Sequence, residues 1–234
     1  MTKYEINSRP ATPVNDDEES PQGGFWGALT TTDQRNLRQL ATIRVFPDET
    51  VIINQDDEPR IVIVILRGCV KIVARDTTGY QAVLALRDAG DVVGEMASID
   101  GVPRSAAVQA IGDVQALVLR STDFRTYVRN HPDAADVLQR CMSARLREAD
   151  RHRTTAARPV AARLAAVLLE LAQRHGHLDG DGSIVIDLPL SQDDLAGLLS
   201  VSRRTVSRVM EGWRAGEIVL TGRRSIVIKK PDRL

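Results

Sequence analysis

Residues 43–121 constrain the fold most, because in this stretch short apolar runs alternate with turn-forming residues. The runs are Val51–Ile53, Ile61–Leu66, Val70–Val73, Ala82–Leu86, Ala106–Ala110 and Ala116–Leu119. The turn-forming pairs between them are Pro47-Asp48, Asp56-Asp57, Arg67-Gly68, Thr78-Gly79, Gly90-Asp91 and Gly112-Asp113. Short runs at a spacing of about 8–12 residues predict the strands of a small antiparallel barrel or sandwich.

The residues before these strands divide into a polar tail and a helical segment. Residues 1–23 combine prolines, glycines and an acidic run, so we expect them to be disordered. Apolar residues then recur at roughly helical spacing and predict a short helix that Thr32 or Asp33 caps. These apolar residues are Phe25, Trp26, Leu29, Leu37 and Leu40.

After His131-Pro132 the apolar residues follow a heptad-like stripe, which predicts one long helix. The stripe consists of Ala135, Leu138, Met142, Leu146 and Ala149, and the arginines that lie largely off it are Arg140, Arg145, Arg147 and Arg151. The stripe packs either on the same helix of a second copy or against the chain's own barrel. Pro159 cannot continue this helix, so we expect a hinge over Thr154–Pro159 and a second helix from Val160 to about His175.

The segment from Leu190 to Met210 has the pattern of two helices joined by a tight turn. Ser191 and Asp194 predict a capping box at the start of the first helix, and Ser200-Val201 predicts the turn. Ser202 is expected to cap a second helix that runs from Arg203 to about Ala215. Its inward residues are Val206, Val209 and Met210, and its outward residues are Arg203, Arg204, Ser207 and Arg208.

A helix with several donors at its N-terminal end suits the major groove of DNA, where arginine bridges O6 and N7 of guanine. A β-hairpin wing is predicted from Ile218 to Ile228, with two arginines at its tip that we expect to touch phosphate. The predicted DNA-contacting residues are Ser202, Arg203, Arg204, Thr205, Ser207, Arg208, Arg223 and Arg224. Trp213 is expected in the core rather than as a platform for base stacking.

The distribution of charge supports a nucleic-acid surface even though the formal net charge is +0. Residues 200–230 hold eight lysines and arginines against Glu211 and Glu217 alone: Arg203, Arg204, Arg208, Arg214, Arg223, Arg224, Lys229 and Lys230. Such a cluster is the electrostatic footprint of a phosphate-binding surface, although a basic run is also common on a solvated face.

The remaining residue patterns argue against an enzyme, a metal centre and a membrane protein. Cys69, Cys141 and the four histidines show no metal-ligand spacing, and no nucleophile–base pair or P-loop stands out. The isolated cysteines are typical of a reducing cytosol, and nothing in the sequence supports a redox pair. The N-terminus lacks the order of a signal peptide, and Ile61–Leu66 is too short to span a membrane, so we expect a cytoplasmic protein.

Over about residues 24–230 the chain resembles the catabolite activator/FNR (CRP/FNR) family of bacterial transcription regulators. Besides the helix-turn-helix, the resemblance rests on the segment from Gly90 to Val108. This segment looks like the phosphate-binding cassette of cyclic-nucleotide domains, in which Gly-Glu is followed nine residues later by Arg and a small or hydroxyl residue. The ligand-binding residues that the resemblance implies are Gly94, Glu95, Met96, Arg104 and Ser105.

The resemblance also implies what each residue does. A short helix after Gly94 would present backbone amides to the cyclic phosphate, and Arg104 would neutralise that phosphate. Glu95 would accept from the ribose 2′-hydroxyl, and Ser105 would donate one more contact. The implied effector is cAMP or another cyclic nucleotide. Alternatively, Glu95 and Arg104 pair with each other under a roll that binds nothing.

Several positions depart from the family pattern. Ala149 and Asp150 stand near the places where cAMP-responsive members read adenine with Thr and Ser, and the acids of Asp48-Glu49 and Asp56-Asp57 stand where turn glycines are usual. We therefore expect the roll's loops to differ. Arg204 occupies the place of a Glu, and a guanidinium cannot accept from cytosine N4. The DNA half-site should differ at that base pair.

The expected fold is α+β. It comprises a disordered tail (1–23), a cyclic-nucleotide-binding-type β-roll (24–130), a long dimerisation helix with its hinge (131–157) and a winged helix-turn-helix (158–234). The expected function is that of a sequence-specific transcription regulator, which binds double-stranded DNA as a homodimer and has RNA polymerase as a further partner. One alternative binds DNA without any ligand. Another, a nucleotide-binding regulatory subunit of a partner enzyme, predicts no salt-sensitive binding to duplex DNA.

Overall fold

The computed structural model describes residues 9–10, 21–77, 79, 81–222 and 224–234. The chain divides into two compact units, residues 1–80 with 84–148 and residues 81–83 with 149–234. The mixture of helices and antiparallel sheets confirms the α+β class, with a β-roll in the N-terminal part and a helix-turn-helix in the C-terminal part.

The β-roll is a seven-stranded sheet with the strand order β1-β2-β7-β4-β5, and β3 and β6 pair with β7 and β4. Its strands are β1 (Arg9–Pro10), β2 (Ala41–Phe46), β3 (Val51–Ile53), β4 (Ile61–Arg75), β5 (Gln81–Asp88), β6 (Val92–Val93) and β7 (Ala107–Arg120). The helices that accompany it are α1 (Gly24–Ala28), α2 (Thr31–Leu40), α3 (Glu95–Asp100), α4 (Ser121–Asn130) and α5 (Pro132–Thr155).

Two of the predicted turns are wrong, because Arg67-Gly68 and Gly112-Asp113 lie inside long strands. The register between β4 and β7 shifts near Arg67, which is the mark of a bulge. Gly68 takes a φ of +87°, and a Cβ there would lie 2.5 Å from the carbonyl oxygen of Asp113. Glycine therefore lets β4 bend past β7 without ending, so pairs of predicted strands merge into single ones.

The apolar run Ile61–Leu66 is explained by burial on both sides of β4. Val62 and Val64 contribute to a core that α1, α2, α4 and α5 cover, whereas Ile63 and Ile65 contribute to the interior of the roll. Successive side chains of a strand point to opposite faces. Because both faces are buried, β4 shows no polar alternation over this run.

The segment before β2 contains two helices rather than the single predicted helix. The predicted cap at Thr32 or Asp33 is wrong, since Thr30 caps α2 by accepting a hydrogen bond from the Asp33 amide at 3.1 Å. Of the tail, Arg9–Pro10 pairs with β2 and departs from the expected disorder. Residues 1–8 and 11–20 lie outside the described residues.

The helix prediction after His131-Pro132 is confirmed, because α5 ends at Thr155 and α6 begins at Val160. The apolar stripe of α5 lies in two environments. Leu138 is buried in the core that the roll shares with the helices, whereas Leu146 is 62% exposed and Ala149 is also exposed. The first half of the stripe is thus buried within the chain, and the second half is left without cover among the described residues. None of the described helices is long and apolar enough to cross a membrane.

Besides the end of α5, the described residues of the second unit form helices α6 to α8 and a four-stranded antiparallel sheet with the order β10-β11-β9-β8. Its elements are α6 (Val160–His175), β8 (Gly176–Leu178), β9 (Ile184–Ile186), α7 (Gln192–Leu199), α8 (Arg203–Ala215), β10 (Val219–Thr221), β11 (Ile226–Ile228) and a 3-10 turn (Pro231–Arg233). The wing hairpin β10–β11 is confirmed, starting one residue later than predicted. β8 and β9 were not predicted, and β9 pairs with β11 to enlarge the wing sheet.

Candidate functional site

The cassette begins where β6 ends, at a glycine that the backbone requires. Gly94 has a φ of +81° and precedes α3, as the predicted short helix demands. A Cβ at this position would lie 3.0 Å from Nη1 of Arg104 and 3.0 Å from Cδ1 of Ile53. Both the backbone conformation and the close approach of Arg104 therefore favour glycine.

Arg104 is buried beneath α3, with 3% of its surface exposed. Its guanidinium donates to the carbonyl oxygens of Gly94 and Ile61, each at 2.5 Å. Its Nε is buried and has no hydrogen-bond partner among the described residues. The pKa of Arg104 is lowered, because the effect of burial exceeds the opposing effect of the nearby carboxylates of Glu95 and Asp57. The cassette thus holds a desolvated cation whose Nε has no partner among the described residues.

The β3–β4 loop holds the backbone of Arg104 in place. The Asp56 amide donates to the Arg104 carbonyl at 2.8 Å, and the Arg104 amide donates to the Asp57 carbonyl at 3.0 Å. Asp56 has a φ of +66° and Glu49 has a φ of +62°, the left-handed conformation that glycine adopts most easily. These acids therefore occupy turn positions at some conformational cost, and their loops still form turns.

Glu95 pairs with Arg145 of α5, a contact that the sequence analysis missed. The carboxylate is buried, and its Oε1 accepts from Nη1 of Arg145 at 2.5 Å. Nη2 of Arg145 also donates to the Val92 carbonyl at 2.5 Å and lies 3.8 Å from Oδ1 of Asp91. Within the described part of the chain no ion pair joins Glu95 to Arg104, so the alternative in which those two pair is wrong. The sequence feature that could have indicated this contact was the position of Arg145 off the apolar stripe of the helix.

Met96 and Ser105 complete the predicted set but lie at the surface. Met96 is 53% exposed, and Ser105 is exposed beside the buried Arg104. The structure therefore buries Glu95 and Arg104 next to half-buried Gly94, whereas Met96 and Ser105 are exposed.

The helix-turn-helix has the two predicted caps. The Ser191 hydroxyl accepts from the Asp194 amide at 3.0 Å, and the Asp194 carboxylate accepts from the Ser191 amide at 2.9 Å, which completes the capping box. Ser200 adopts the left-handed conformation in the turn, and Ser202 caps α8 by accepting from the Thr205 amide at 3.2 Å. These bonds satisfy amides at the ends of both helices and fix where each begins.

Helix α8 presents a basic face to solvent while its apolar side is buried. Val206 and Met210 are buried, and Val209 is half-buried. The predicted arginines of the outward face are all exposed: Arg203, Arg204 and Arg208. Thr205 and Ser207 are half-buried, and the Ser207 hydroxyl donates to Glu211 at 3.0 Å. The exposed donors of this helix are therefore chiefly guanidinium groups.

Residues outside α7 and α8 support these two helices. Arg163 of α6 donates to the Leu199 carbonyl at the end of α7, a contact that the sequence did not reveal. Trp213 is half-buried rather than fully buried in the core. Arg224 is exposed on the wing, whereas Arg223 lies outside the described residues.

Two family models match the chain. The cyclic nucleotide-binding domain matches residues 43–131, and the Crp-like helix-turn-helix domain matches residues 162–234. The first covers the cassette and the second covers α7, α8 and the wing.

Curated proteins and solved structures with the same architecture extend this match. A "CRP-like cAMP-activated global transcriptional regulator" of Mycobacterium tuberculosis strain H37Rv is 28% identical over 214 residues, which is 91% of this chain and 94% of the relative. A CRP/FNR-family regulator structure from Thermus thermophilus has a TM-score of 0.68 at 26% identity and covers 82% of this chain and 95% of its own. The structure of CLP from Xanthomonas campestris, described as c-di-GMP responsive, has a TM-score of 0.72 at 20% identity, covers 85% of this chain and 99% of its own, and supports the fold alone.

Proposed function

Because the chain belongs to the CRP/FNR family of DNA-binding transcription regulators, we propose that two copies pair through α5 and insert α8 into successive major grooves of duplex DNA. Five of the predicted DNA-contacting residues are assigned to two roles. Arg203, Arg204 and Arg208 of α8 face the bases, and the wing arginines Arg223 and Arg224 contact phosphate.

The observation that carries the DNA proposal is the basic, capped end of α8. Three exposed arginines lie within two turns of the Ser202 cap, on a helix whose opposite side is buried. Such an end offers guanidinium donors to guanine, and the positive end of the helix dipole favours nearby phosphate. Arg204 cannot accept from cytosine as a Glu would, so the half-site differs from that of the Arg-Glu-Arg members at that base pair.

The exposed second half of the α5 stripe supports the homodimer. Leu146 and Ala149 are exposed within the protomer, and an apolar heptad stripe is buried when the same helix of a second copy lies along it. Two copies related by a two-fold axis would present their recognition helices to half-sites about 34 Å apart, one turn of DNA. RNA polymerase is the further partner that regulation of transcription implies.

A cyclic nucleotide is the effector that we propose for the cassette. The phosphate would lie over the α3 amides and accept from Arg104, whose buried Nε has no partner among the described residues. Glu95 would accept from the ribose hydroxyl, with Met96 and Ser105 at the rim. Ala149 and Asp150 offer no hydroxyl in the places that read adenine, so the choice of base differs from that of the cAMP-responsive members.

The Glu95–Arg145 pair gives the proposal its mechanism. A ribose hydroxyl that bonds Glu95 has to share the carboxylate with Arg145 or displace it. Arg145 lies on α5, so a change in this contact shifts the helix that carries the dimer seam and leads into the hinge at Thr154–Pro159. Effector binding and DNA binding are then coupled through one element.

The same ion pair also favours one alternative, a regulator that needs no ligand. Arg145 provides Glu95 with a partner from within the chain, and a cassette held in this way has a fixed α5. The two are separated by titration calorimetry with cAMP, cGMP and cyclic di-GMP, followed by DNA binding of the full-length protein with each nucleotide. An effector-controlled regulator binds at least one nucleotide and changes its affinity for DNA. Binding of DNA that none of the three nucleotides changes supports the ligand-independent alternative.

A further inference from the structure

The helix pair that faces DNA in the proposed function begins with an acidic side chain, Asp193, that has no role there. Asp193 lies in the first turn of α7, beside Asp194, whose buried carboxylate completes the capping box. The Asp193 side chain is 66% exposed, and its Oδ2 lies 3.5 Å from Nη1 of Arg203. Arg203 is the first residue of α8, so the pair joins the beginnings of the two helices.

The other arginines of the α8 face have no such partner. Within the described residues, no carboxylate lies within 4.0 Å of the side chain of Arg204 or of Arg208. The two ends of the Asp193–Arg203 pair are also well positioned, because the Ser191 capping box fixes the start of α7 and Ser202 fixes the start of α8. The acid is thus placed to act on one base-facing arginine alone.

We infer that Asp193 is a specificity-determining residue of the proposed DNA interface, because it withholds Arg203 from phosphate and releases it to guanine. This inference rests on the proposed function. Phosphates are present on every duplex, and a phosphate that approaches Arg203 also approaches the Asp193 carboxylate, which repels it. A guanine offers Arg203 two acceptors and no net charge, so it can replace the weak exposed pair at little electrostatic cost.

Asp193 therefore lowers affinity for duplexes of the wrong sequence more than for the right one. On a non-specific duplex, Arg203 would neutralise less phosphate charge than an unpaired arginine, and fewer counterions would be released. Removing the carboxylate frees Arg203 for phosphate. The expected consequence is tighter, more salt-sensitive binding to DNA of any sequence and a smaller ratio between specific and non-specific affinity.

The test compares Asp193→Asn with a matched control, Asp187→Asn. Asp187 is an exposed acid of the same unit whose side chain lies 3.5 Å from His177 rather than from an α8 arginine. Each full-length protein is titrated with two duplexes, one that the wild-type protein selects from a random pool and one with that sequence scrambled. Affinities are measured over a range of salt concentrations.

For Asp193→Asn we expect the scrambled duplex to bind about 3- to 10-fold more tightly, with a salt slope steeper by up to about 0.9, the value for one more neutralised phosphate. The selected duplex should change by less than about 2-fold, since Arg203 is released there in either case. Asp187→Asn should shift both duplexes equally and by less. In a background of Arg203→Ala, Asp193→Asn should shift the scrambled duplex no more than Asp187→Asn does.

Equal effects of Asp193→Asn and Asp187→Asn would overturn the inference, because the acid would then act only through the charge of the domain. A loss of affinity confined to the selected duplex would also overturn the inference, since Asp193 would then contact a base directly. An effect of Asp193→Asn on the scrambled duplex that is undiminished in the Arg203→Ala background would overturn it as well. A wild-type protein that binds no duplex at low salt is a different result, which contradicts the proposed function itself. Because Asp193 is exposed and outside the capping bonds, the variant is expected to fold, and Asp193→Ser provides a second test of the same pair.

Discussion

Arg104 combines a structural role with its proposed role in effector binding. A guanidinium with 3% of its surface exposed is costly to bury unless its donors are paired. Two of them bond the carbonyls of Gly94 and Ile61, which ties the start of α3 to β4. The same group therefore stabilises the cassette and, in the proposed function, would provide the positive charge that a phosphate needs.

Replacement of Arg104 by alanine should consequently destabilise the protein as well as weaken effector binding. The carbonyls of Gly94 and Ile61 would lose their donors, and each unsatisfied buried acceptor costs about 1–3 kcal/mol. We expect the free energy of unfolding in urea to fall by about 2–4 kcal/mol. Arg151→Ala, at an exposed position of α5, is the control and should change it by less than about 0.5 kcal/mol. Equal stability of the two variants would contradict the contacts assigned to Arg104.

Tyr127 and Asp33 form a second buried polar contact, which links α4 to α2. The Tyr127 hydroxyl donates to Oδ1 of Asp33 at 2.6 Å. Burial, together with this hydrogen bond, raises the pKa of Tyr127 from 10.0 to about 12. The folded state therefore holds the phenolic proton more tightly than the unfolded state does.

A pKa raised in the folded state adds stability that is complete below pH 10 and is lost as the pH rises towards about 12. We expect the free energy of unfolding of the wild type to fall over this interval by about 1–3 kcal/mol more than that of Tyr127→Phe. Urea denaturation curves at several pH values from about 9 to about 12, a range that brackets both pKa values, measure this difference in the free energy of unfolding. Parallel losses in the two proteins would contradict the assigned contact.

At the scale of elements, α5 is divided between two tasks. Its first half is buried with the roll through Ala134, Val137 and Leu138, and Arg145 and Glu148 then hold it to the cassette and to Arg87. Beyond them the apolar stripe continues through exposed Leu146 and Ala149. The proposed seam between two copies thus depends on the second half of the helix.

Leu146→Glu should separate the proposed dimer with little effect on the protomer, because Leu146 is 62% exposed in the single chain. A carboxylate at a stripe position would be desolvated opposite its twin. Sedimentation at micromolar concentration should show monomers of the variant. Arg147→Glu, the exposed neighbour off the stripe, should remain dimeric. A dimeric Leu146→Glu protein would place the seam elsewhere.

The sequence predicted those elements that are determined by residues close to one another in the chain. The helix-turn-helix followed from Ser191, Asp194 and Ser202, since caps act within one turn of the chain. The merging of strands at Gly68 did not, because a glycine that permits a bulge has the same local signature as one that ends a strand. The Glu95–Arg145 pair did not either, because it joins residues far apart in sequence that only the packing of α5 on the roll brings together.

At the scale of the whole molecule, one chain combines a sensor with a DNA-binding module, and in the proposed function two copies bind DNA together. The sensor has a cassette with a buried cation, and the DNA-binding module has a capped basic helix and a wing. A paired arrangement makes the binding of two half-sites cooperative, because the first contact raises the effective concentration of the second. Neither module alone would give this dependence on half-site number and spacing.

The most direct test measures the affinity of the full-length protein for a selected duplex with two inverted half-sites one helical turn apart and for a duplex that retains only one. The account predicts that the two-site duplex binds at least about 100-fold more tightly and that Leu146→Glu abolishes the difference. Equal affinity of the wild-type protein for the two duplexes, or no binding to either at low ionic strength, would contradict it.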